Sequence, residues 1–176
     1  GEFPDIAGDY SNKSMLLQSG VILGGNLREV QDVDLKAPDQ VQEWVAHSWY
    51  KQADETKGLH PFDGETAPHF DIGKAKGTRT AIENVDESAK YSWVKSPRWK
   101  GHPVEVGPLA RYVVAYARGN KEIQEQVNGA LKALDVPITA LFSTLGRTAA
   151  RGLECQWAAH KMRYFYDQLI ANIKAG

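Results

Sequence analysis

The strongest constraint on the fold is a helical pattern at the end of the chain. From Pro137 to about Lys174 apolar residues recur at three- and four-residue intervals, which predicts one long helix. Such a helix extends roughly 55 Å at 1.5 Å per residue, more than a small domain requires. We therefore expect either a kink at Gly146 or Gly152, or packing against helices outside these residues. The predicted inward residues are Ile138, Leu141, Phe142, Leu145, Ala149, Leu153 and Trp157.

Two shorter helices are predicted before the long one. Pro108 suits a first helical position and Gly119 suits a C-terminal stop. Asn120 is expected to cap the next helix. The predicted inward faces are Leu109, Tyr112, Val113 and Tyr116 for the first helix, and Ile123, Val127, Leu131 and Leu134 for the second.

The first third of the chain is predicted to be β-rich and irregular. Short apolar runs at Met15–Leu17 and Ser19–Leu23 precede the turn signal Gly24-Gly25-Asn26, and Leu27–Val33 follows it, which predicts a small antiparallel hairpin. Pro38 then suits the start of a helix. Its expected buried face is Val41, Trp44, Val45 and Ser48.

Residues 51–103 contain half of the chain's eight prolines and several glycines, so little regular helix is expected there. Tyr91, Trp93 and Trp99 make the stretch too aromatic for a disordered linker. An ordered loop region fixed by aromatic side chains is predicted. The fold class is therefore α+β: a β-rich, irregular N-terminal third, a long ordered loop region, then mainly α with long packed helices.

Composition excludes several function classes. A net charge of -1, from 21 basic and 22 acidic residues, gives no attraction to nucleic acid or to an anionic membrane. No apolar run approaches the roughly 18–20 residues of a membrane span, so no direct membrane insertion is expected. One cysteine excludes an internal disulfide framework and a cysteine-only metal cage. Cys155 itself is predicted to be a buried or half-buried thiol, because no second cysteine or nearby base accompanies it.

Histidines and charged residues leave alternatives open. His69-x-Asp71 with a distant histidine has the spacing of a two-histidine, one-carboxylate iron site, although such histidines can equally anchor a loop. Glu105 precedes a predicted helix and is expected to act as its cap. Arg147, Arg151 and Glu154 share one helix face, as either an exposed ion-paired surface or a buried network that locks the helix to its neighbours.

Five segments carry a resemblance to a known family. They are VQEWVAHSWY at 41–50, GLHPFDGET at 58–66, KYSWVKSPRWKG at 90–101, VEVGPLARYVVAY at 104–116 and STLGRTAARGLECQWAAHKMRYFYDQLIANIKAG at 143–176. The chain resembles the large, catalytic subunit of the uptake-type nickel–iron hydrogenases, and matches its central part. On that resemblance, residues 1–176 form a single partial domain, and both ends are expected to be cuts in a longer chain.

The resemblance implies an activity for the complete subunit, which would oxidise H2 reversibly to protons and electrons. Its nickel–iron centre would carry CO and cyanide ligands, with nickel held by one cysteine pair near each end of the subunit. This chain matches neither pair, so no catalytic residue, no cofactor-binding residue and no direct metal ligand is carried over. The segment alone is predicted to be inactive. The implied partners are an iron–sulfur small subunit and the missing segments of the same subunit, in a periplasmic or membrane-associated complex.

The resemblance also implies a magnesium ion, held partly through water by a glutamate and a lysine of this central region. Glu65 and Lys95 are the candidates, and the alternative is that Glu65 caps a turn while Lys95 lies at the surface. Another class of function is a standalone structural or interaction module. If the helices pack on missing segments, apolar pairs such as Tyr112/Tyr116 or Trp157/Phe165 should be exposed and the segment should self-associate.

Overall fold

The computed structural model describes residues 16–34, 36–69 and 90–175, which fall into two units. The helical unit comprises residues 16–33 and 106–175 of the described chain, and the sheet unit comprises its residues from 34 to 105. Strands and helices occur in separate units, so the α+β prediction is confirmed. The prediction of one partial domain stays a prediction.

The helical unit has three α-helices: α1 (Pro108–Ala117), α2 (Lys121–Leu134) and α3 (Thr144–Ala175). A short 3₁₀ helix, Ile138–Leu141, lies between α2 and α3. Gly119 has a φ of 83°, a left-handed conformation that ends α1 as predicted. The Asn120 side chain accepts a hydrogen bond from the backbone N–H of Ile123 at 3.2 Å, which confirms the predicted cap of α2.

The core of the helical unit combines one face from each helix. Leu109, Tyr112, Val113, Ala115, Ile123, Val127, Leu141, Ala150 and Trp157 are buried together. Most of the predicted inward faces are thus confirmed, but Leu134 is 66%, Leu145 is 80% and Phe142 is 41% exposed. All three predictions rest on spacing alone, and each residue lies at the end of a helical segment.

The predicted long helix begins later than its proline. Residues 138–141 form the 3₁₀ turn, and the chain leaves helical geometry at Phe142 before α3 starts at Thr144. From there α3 continues for 32 residues through Gly146 and Gly152, so the interruption is not at either glycine. Gly146 has a different role: a Cβ there would lie 2.1 Å from the backbone oxygen of Leu141. The missing side chain allows α3 to pack directly on the 3₁₀ turn.

The predicted N-terminal hairpin is present in reduced form. Val21 and Gln31 exchange two backbone hydrogen bonds of 2.9 Å as an isolated antiparallel bridge. Gly24 and Gly25 between them adopt positive φ angles, as the turn signal predicts. Met15, at the start of the first predicted run, lies outside the described residues.

The sheet unit contains three antiparallel strands in the order β1 (Val41–Trp44), β2 (Ser96–Trp99) and β3 (His102–Pro103). The predicted helix after Pro38 is wrong, because its residues form β1. The helical spacing of the apolar residues in this segment was accidental. Val41 and Trp44 suit a strand, and Val41 pairs with Trp99 of β2. A pairing partner more than fifty residues away is invisible to local periodicity. Residues 51–103, predicted to be a loop region, contain β2 and β3. Local periodicity did not indicate these strands, because their pairing partners are not visible to it either.

Candidate functional site

Three segments of the sheet unit converge around Lys95. β1 pairs with β2, and this places Glu43 beside the start of β2. Glu43 also exchanges backbone hydrogen bonds of 2.8 and 3.0 Å with Leu59, so the 59–69 loop is held against the same strand. Tyr50 and Pro68 form a second antiparallel bridge further along. These backbone contacts bring the segments 43–50, 59–68 and 92–97 into one small region.

Lys95 lies at the centre of this region with its side chain only 12% exposed. Its Nζ is 3.3 Å from Oε2 of Glu43 and donates a hydrogen bond of 3.1 Å to Oγ1 of Thr66. The same ammonium lies 5.7 Å from the centre of the Tyr50 ring, within the range of a cation–π contact. A charge this well covered requires such partners, because burial of an unpaired ammonium is costly.

An open groove of about 390 Å³ surrounds the ion pair. Its lining is Glu43, Tyr50, Thr66, Trp93, Val94 and Lys95. The Trp93 ring packs against Trp49 at 5.1 Å between centroids and edge-on to Tyr50 at 5.7 Å. The groove is therefore an aromatic-walled depression with one ion pair at its base, and we call it the Lys95 groove.

The backbone before Lys95 is held by a buried serine. Ser48 is 2% exposed, and its hydroxyl donates a hydrogen bond to the carbonyl oxygen of Val94. The backbone N–H of Trp49 donates to the carbonyl of Ser92 at 3.0 Å, which fixes the same segment two residues earlier. These two hydrogen bonds fix the segment that carries Lys95. The same segment contains Trp93, which packs against Trp49, so here the loop region is ordered by aromatic contacts as predicted.

The two residues predicted for magnesium have different surroundings. Glu65 is exposed, and the carboxylate that pairs with Lys95 is that of Glu43. The loop of Glu65 nevertheless passes close by, because a Cβ at Gly64 would lie 3.6 Å from Nζ of Lys95. Glu43 was missed because it lies in a different motif from Lys95, and only strand pairing brings the two together.

The chemistry available at the Lys95 groove is electrostatic and hydrogen-bonding. An ammonium has three N–H donors, so the contacts to Glu43 and Thr66 leave one for a further acceptor. The carboxylate of Glu43 can accept additional hydrogen bonds on its oxygens. The pair is close to neutral as a unit, so it suits a polar or hydrated group better than a bare ion.

The iron-site prediction is only partly covered by the structure. His69 is exposed, and its backbone N–H donates to the carbonyl of Trp49 at 2.8 Å, which fits a loop anchor. Asp71 lies outside the described residues, so the His69–Asp71 pairing stays a prediction. Among residues 16–34, 36–69 and 90–175, no three histidine, cysteine, aspartate or glutamate side chains are grouped to hold a metal ion.

One prediction about a single side chain is wrong, and another stays untested. Cys155 is exposed on α3 rather than buried, because the inward face of α3 turns away at that position. Helix α1 follows Gly107, which has no side chain to cap it, and the predicted role of Glu105 at this helix start stays a prediction.

Glu154 of α3 pairs with an arginine of α1, a different partner from Arg147 and Arg151 of its own helix. The Arg111 side chain donates two hydrogen bonds to Glu154, of 2.5 and 2.8 Å, and so connects α1 to α3. The hydrogen bonds that Arg111 donates to Glu154 raise the pKa of Arg111 above its ordinary value. Of the two predicted arrangements, Glu154 follows the one that joins neighbouring helices, although Arg111 is half-exposed. Arg151 is exposed and donates to the carbonyl of Arg147.

A buried tyrosine that the sequence patterns assigned only to packing also bonds across the helices. The Tyr112 hydroxyl donates to Oε1 of Gln126 at 2.7 Å, and the Gln126 amide donates to the carbonyl of Leu153 at 3.0 Å. Burial raises the pKa of the Tyr112 phenol, with the nearby charge of Glu154 adding to the effect. This chain of hydrogen bonds is structural, since it joins α1, α2 and α3.

Comparison with known proteins resolves the family. The sequence model of the nickel-dependent hydrogenases matches residues 1–176. The chain belongs to the nickel-dependent hydrogenase family. It is 59% identical over 177 residues to the uptake hydrogenase large subunit of Rhizobium leguminosarum bv. viciae. It is 46% identical over 176 residues to the hydrogenase-1 large chain of Escherichia coli K12. Each alignment covers 100% of this chain and 30% of the relative.

The structural comparison points the same way. The fold is similar to that of the [NiFeSe]-hydrogenase of Dm. baculatum, with a TM-score of 0.51 and 29% identity. The alignment covers 88% of this chain and 28% of that chain. This segment of a hydrogenase therefore spans about 30% of the length of the curated relatives that it matches.

The residues of this segment do not fit a nickel–iron centre. The family name implies nickel, yet the chain has one cysteine, and it lies exposed on α3 far along the sequence from the groove. The Lys95 groove offers an ammonium, a hydroxyl and a carboxylate already paired, which is not a ligand set for a soft metal. No described helix is long and apolar enough to cross a membrane.

Proposed function

We propose that this chain is the central scaffold segment of a hydrogenase large subunit that, when complete, oxidises H2 reversibly to protons and electrons. The observation that carries the proposal is sequence identity of 46–60% to hydrogenase large subunits over the whole chain. The rigid helical core and the sheet unit supply a support, and the segment alone is inactive because one cysteine cannot hold the metals of the family.

The remaining parts of the assembly follow from the chemistry of H2 oxidation. A nickel–iron centre with CO and cyanide ligands would supply the site of H2 cleavage, bound by cysteines outside these residues. Electrons released in a buried site require a conducting partner, so an iron–sulfur small subunit is proposed. The names of the relatives as large subunits support such a partner. The uptake type further suggests a periplasmic or membrane-associated complex.

The Lys95 groove has a proposed place in that assembly. We propose that Lys95 hydrogen-bonds to waters of a magnesium ion held by other segments of the subunit. Glu43 supports this role better than Glu65, because it is the carboxylate in contact with Lys95. The neutral pair and its remaining hydrogen-bonding capacity suit a cation that keeps its water shell. The role of Glu65 would then be confined to the neighbouring exposed loop.

The test uses a chimera: the complete Rhizobium leguminosarum large subunit in which this chain replaces the matching region, co-produced with its own small subunit. H2-dependent reduction of a redox dye should be within about tenfold of the parent, because 59% of the replaced residues are identical. A soluble but inactive chimera that incorporates nickel would contradict the scaffold proposal. It would favour a standalone module that keeps the sequence without the function.

The magnesium role has its own test in the chimera. Lys95→Met keeps an unbranched apolar stem one atom shorter than lysine and removes its donors, so magnesium content after purification should fall. Lys57→Met is the matched control, because Lys57 forms an exposed ion pair with Asp54 at 3.1 Å. Equal magnesium in both variants would contradict a role for Lys95.

A further inference from the structure

Helix α3 carries two separate apolar stripes. The first, which we call the inner stripe, is Gly146, Ala150, Leu153 and Trp157, and it packs into the core of the helical unit. The second, which we call the outer stripe, is Met162, Phe165, Tyr166, Leu169 and Ile173. All five of its residues are exposed, with fractions of 46–74%. The first half of the helix is therefore packed, and the second half presents large apolar side chains to solvent.

The two stripes lie on nearly opposite sides of the helix. The outer stripe has the spacing i, i+3, i+4, i+7 and i+11, which keeps its members on one face. At 100° per residue, the centre of the outer stripe is about 150° around the axis from the centre of the inner stripe. Extension of the core that covers the inner stripe would therefore not cover the outer stripe.

The polar residues of the second half confirm the direction of the outer stripe. Arg163 and Asp167 form an i, i+4 ion pair of 2.9 Å on the side of the helix between the two stripes, and both side chains are more than half exposed. Solvent-compatible residues thus flank an apolar face. A continuous exposed apolar face of this kind indicates an interaction surface rather than a solvated one.

We propose that the outer stripe packs against a helix of the same large subunit that lies outside these 176 residues. The inference rests on the proposed function. The choice of a helix of the same subunit follows from the length of the relatives. The relatives are matched over only 30% of their length, so most of a complete subunit lies beyond this segment. The 3–4 residue spacing of the stripe fits the ridges and grooves of a second helix. Helix α3 then belongs to two cores, one on each side.

A second copy of this chain is a poorer occupant. Stable interfaces between separate proteins bury about 800 Å² on each partner and involve roughly 20–30 residues a side. The outer stripe offers five large side chains on one helix. An intramolecular contact needs less area, because the covalent connection already removes most of the entropic cost of association.

The experiment introduces the photo-crosslinking residue p-benzoylphenylalanine in place of Phe165 in the chimera, and maps its cross-links by mass spectrometry. We expect cross-links to residues of the same polypeptide outside the replaced region. The same probe in place of Arg163 is the control and should give about tenfold less of that product, as reaction requires close contact. Cross-links from Phe165 only to a second copy or to the small subunit, or none, would overturn the proposal.

A pair of neighbouring substitutions provides a second readout. With the probe at position 165, Leu169→Ser should lower the yield of the cross-link about tenfold, because it places a hydroxyl in an apolar contact. Gln168→Ser is the matched control on another face and should leave the yield unchanged. Equal yields from the two variants would overturn the proposal. Cross-links are read whether or not the chimera oxidises H2, so failure of the proposed function is seen separately in the dye assay.

Discussion

The helical unit and the sheet unit are stabilised in different ways. In the helical unit each helix satisfies its own backbone, and stability comes from a core that includes Tyr112, Ile123 and Val127. In the sheet unit the buried residues include the polar Ser48 and His60, and the backbone is satisfied by bridges between distant segments. The helical unit therefore depends on apolar packing, and the sheet unit depends on a set of specific hydrogen bonds and ion pairs.

The largest expected effect tests the apolar core of the helical unit. Ile123 is fully buried, so Ile123→Ala should lower the free energy of unfolding by about 2–5 kcal/mol, through lost burial and a residual cavity. Urea denaturation followed by circular dichroism at 222 nm measures it. Leu134→Ala is the control in the same helix and should cost less than about 0.5 kcal/mol, because its side chain is exposed. Similar losses in both variants would mean that α2 is not packed as described.

Next in size is a test of the close approach between α3 and the 3₁₀ turn. Gly146→Ala should destabilise by about 1–3 kcal/mol, because the new Cβ would overlap the backbone oxygen of Leu141. Gly152→Ala should instead stabilise by about 0.5–1 kcal/mol, since nothing lies within 4 Å of that position and alanine favours helix. Thermal unfolding of the two variants distinguishes them by sign. A shift of the same sign for both would contradict the contact at Gly146.

In the sheet unit a smaller loss is expected from the ion pair of the Lys95 groove. Lys95→Met removes the partner of Glu43 and should cost about 1 kcal/mol, because the glutamate can still reach water. Amide hydrogen exchange of residues 43–50 reports this locally. Lys57→Met, at an exposed pair, should leave exchange unchanged. If Lys95→Met leaves the protection of residues 43–50 intact, the stability of this unit does not depend on the pair.

The smallest effect concerns an ion pair between α2 and α3. Burial is the largest single influence and raises the pKa of Glu122, but the hydrogen bond from Lys161, its positive charge and other neighbouring groups together outweigh it, so the pKa is lowered from 4.5. A lowered folded-state pKa stabilises the protein above the unfolded value, and that contribution is lost as the pH falls through the folded value. Because Glu122 is half-exposed, we expect a few tenths of a kcal/mol.

The measurement is the free energy of unfolding from pH 6 to pH 3, in this chain and in Lys161→Gln. The difference between the two proteins should be fully present above about pH 4.5 and should shrink as the pH falls through the lower folded-state pKa of Glu122. A difference that stays constant over this range would show that Lys161 acts only through packing on the Trp157 ring, 5.6 Å from its ammonium.

The prediction that apolar helix residues are exposed is right for one residue and wrong for two others. Phe165 is exposed as expected for helices that pack on missing segments, but Tyr112 and Trp157 are buried. Sequence spacing places all three on helices and carries no information on which helix faces meet. The predicted self-association of the segment stays a prediction, and the outer stripe is the surface on which it would depend.

At the candidate site, Lys95 could be selected from the sequence and its partner could not. Glu43 lies 52 positions earlier in the chain, and the antiparallel register of β1 and β2 brings it within reach. The resemblance points to Glu65 in HPFDGET as its partner, whereas the carboxylate in contact with Lys95 is that of Glu43. Thr66 and Tyr50 join the site through bridges that no local pattern indicates.

The sequence by itself determined that helices α1 and α2 and a long helix α3 are present, that Asn120 caps α2 and Gly119 ends α1, and the family to which the chain belongs. These depend on interactions within a few residues, such as the Asn120 cap and the Gly119 stop, or on motifs that are read directly. Only the tertiary structure decided that residues 41–44 are a strand, that Glu43 is the partner of Lys95 and that α3 has one packed and one open face. Each of these depends on contacts between distant segments, which have no signature in local periodicity.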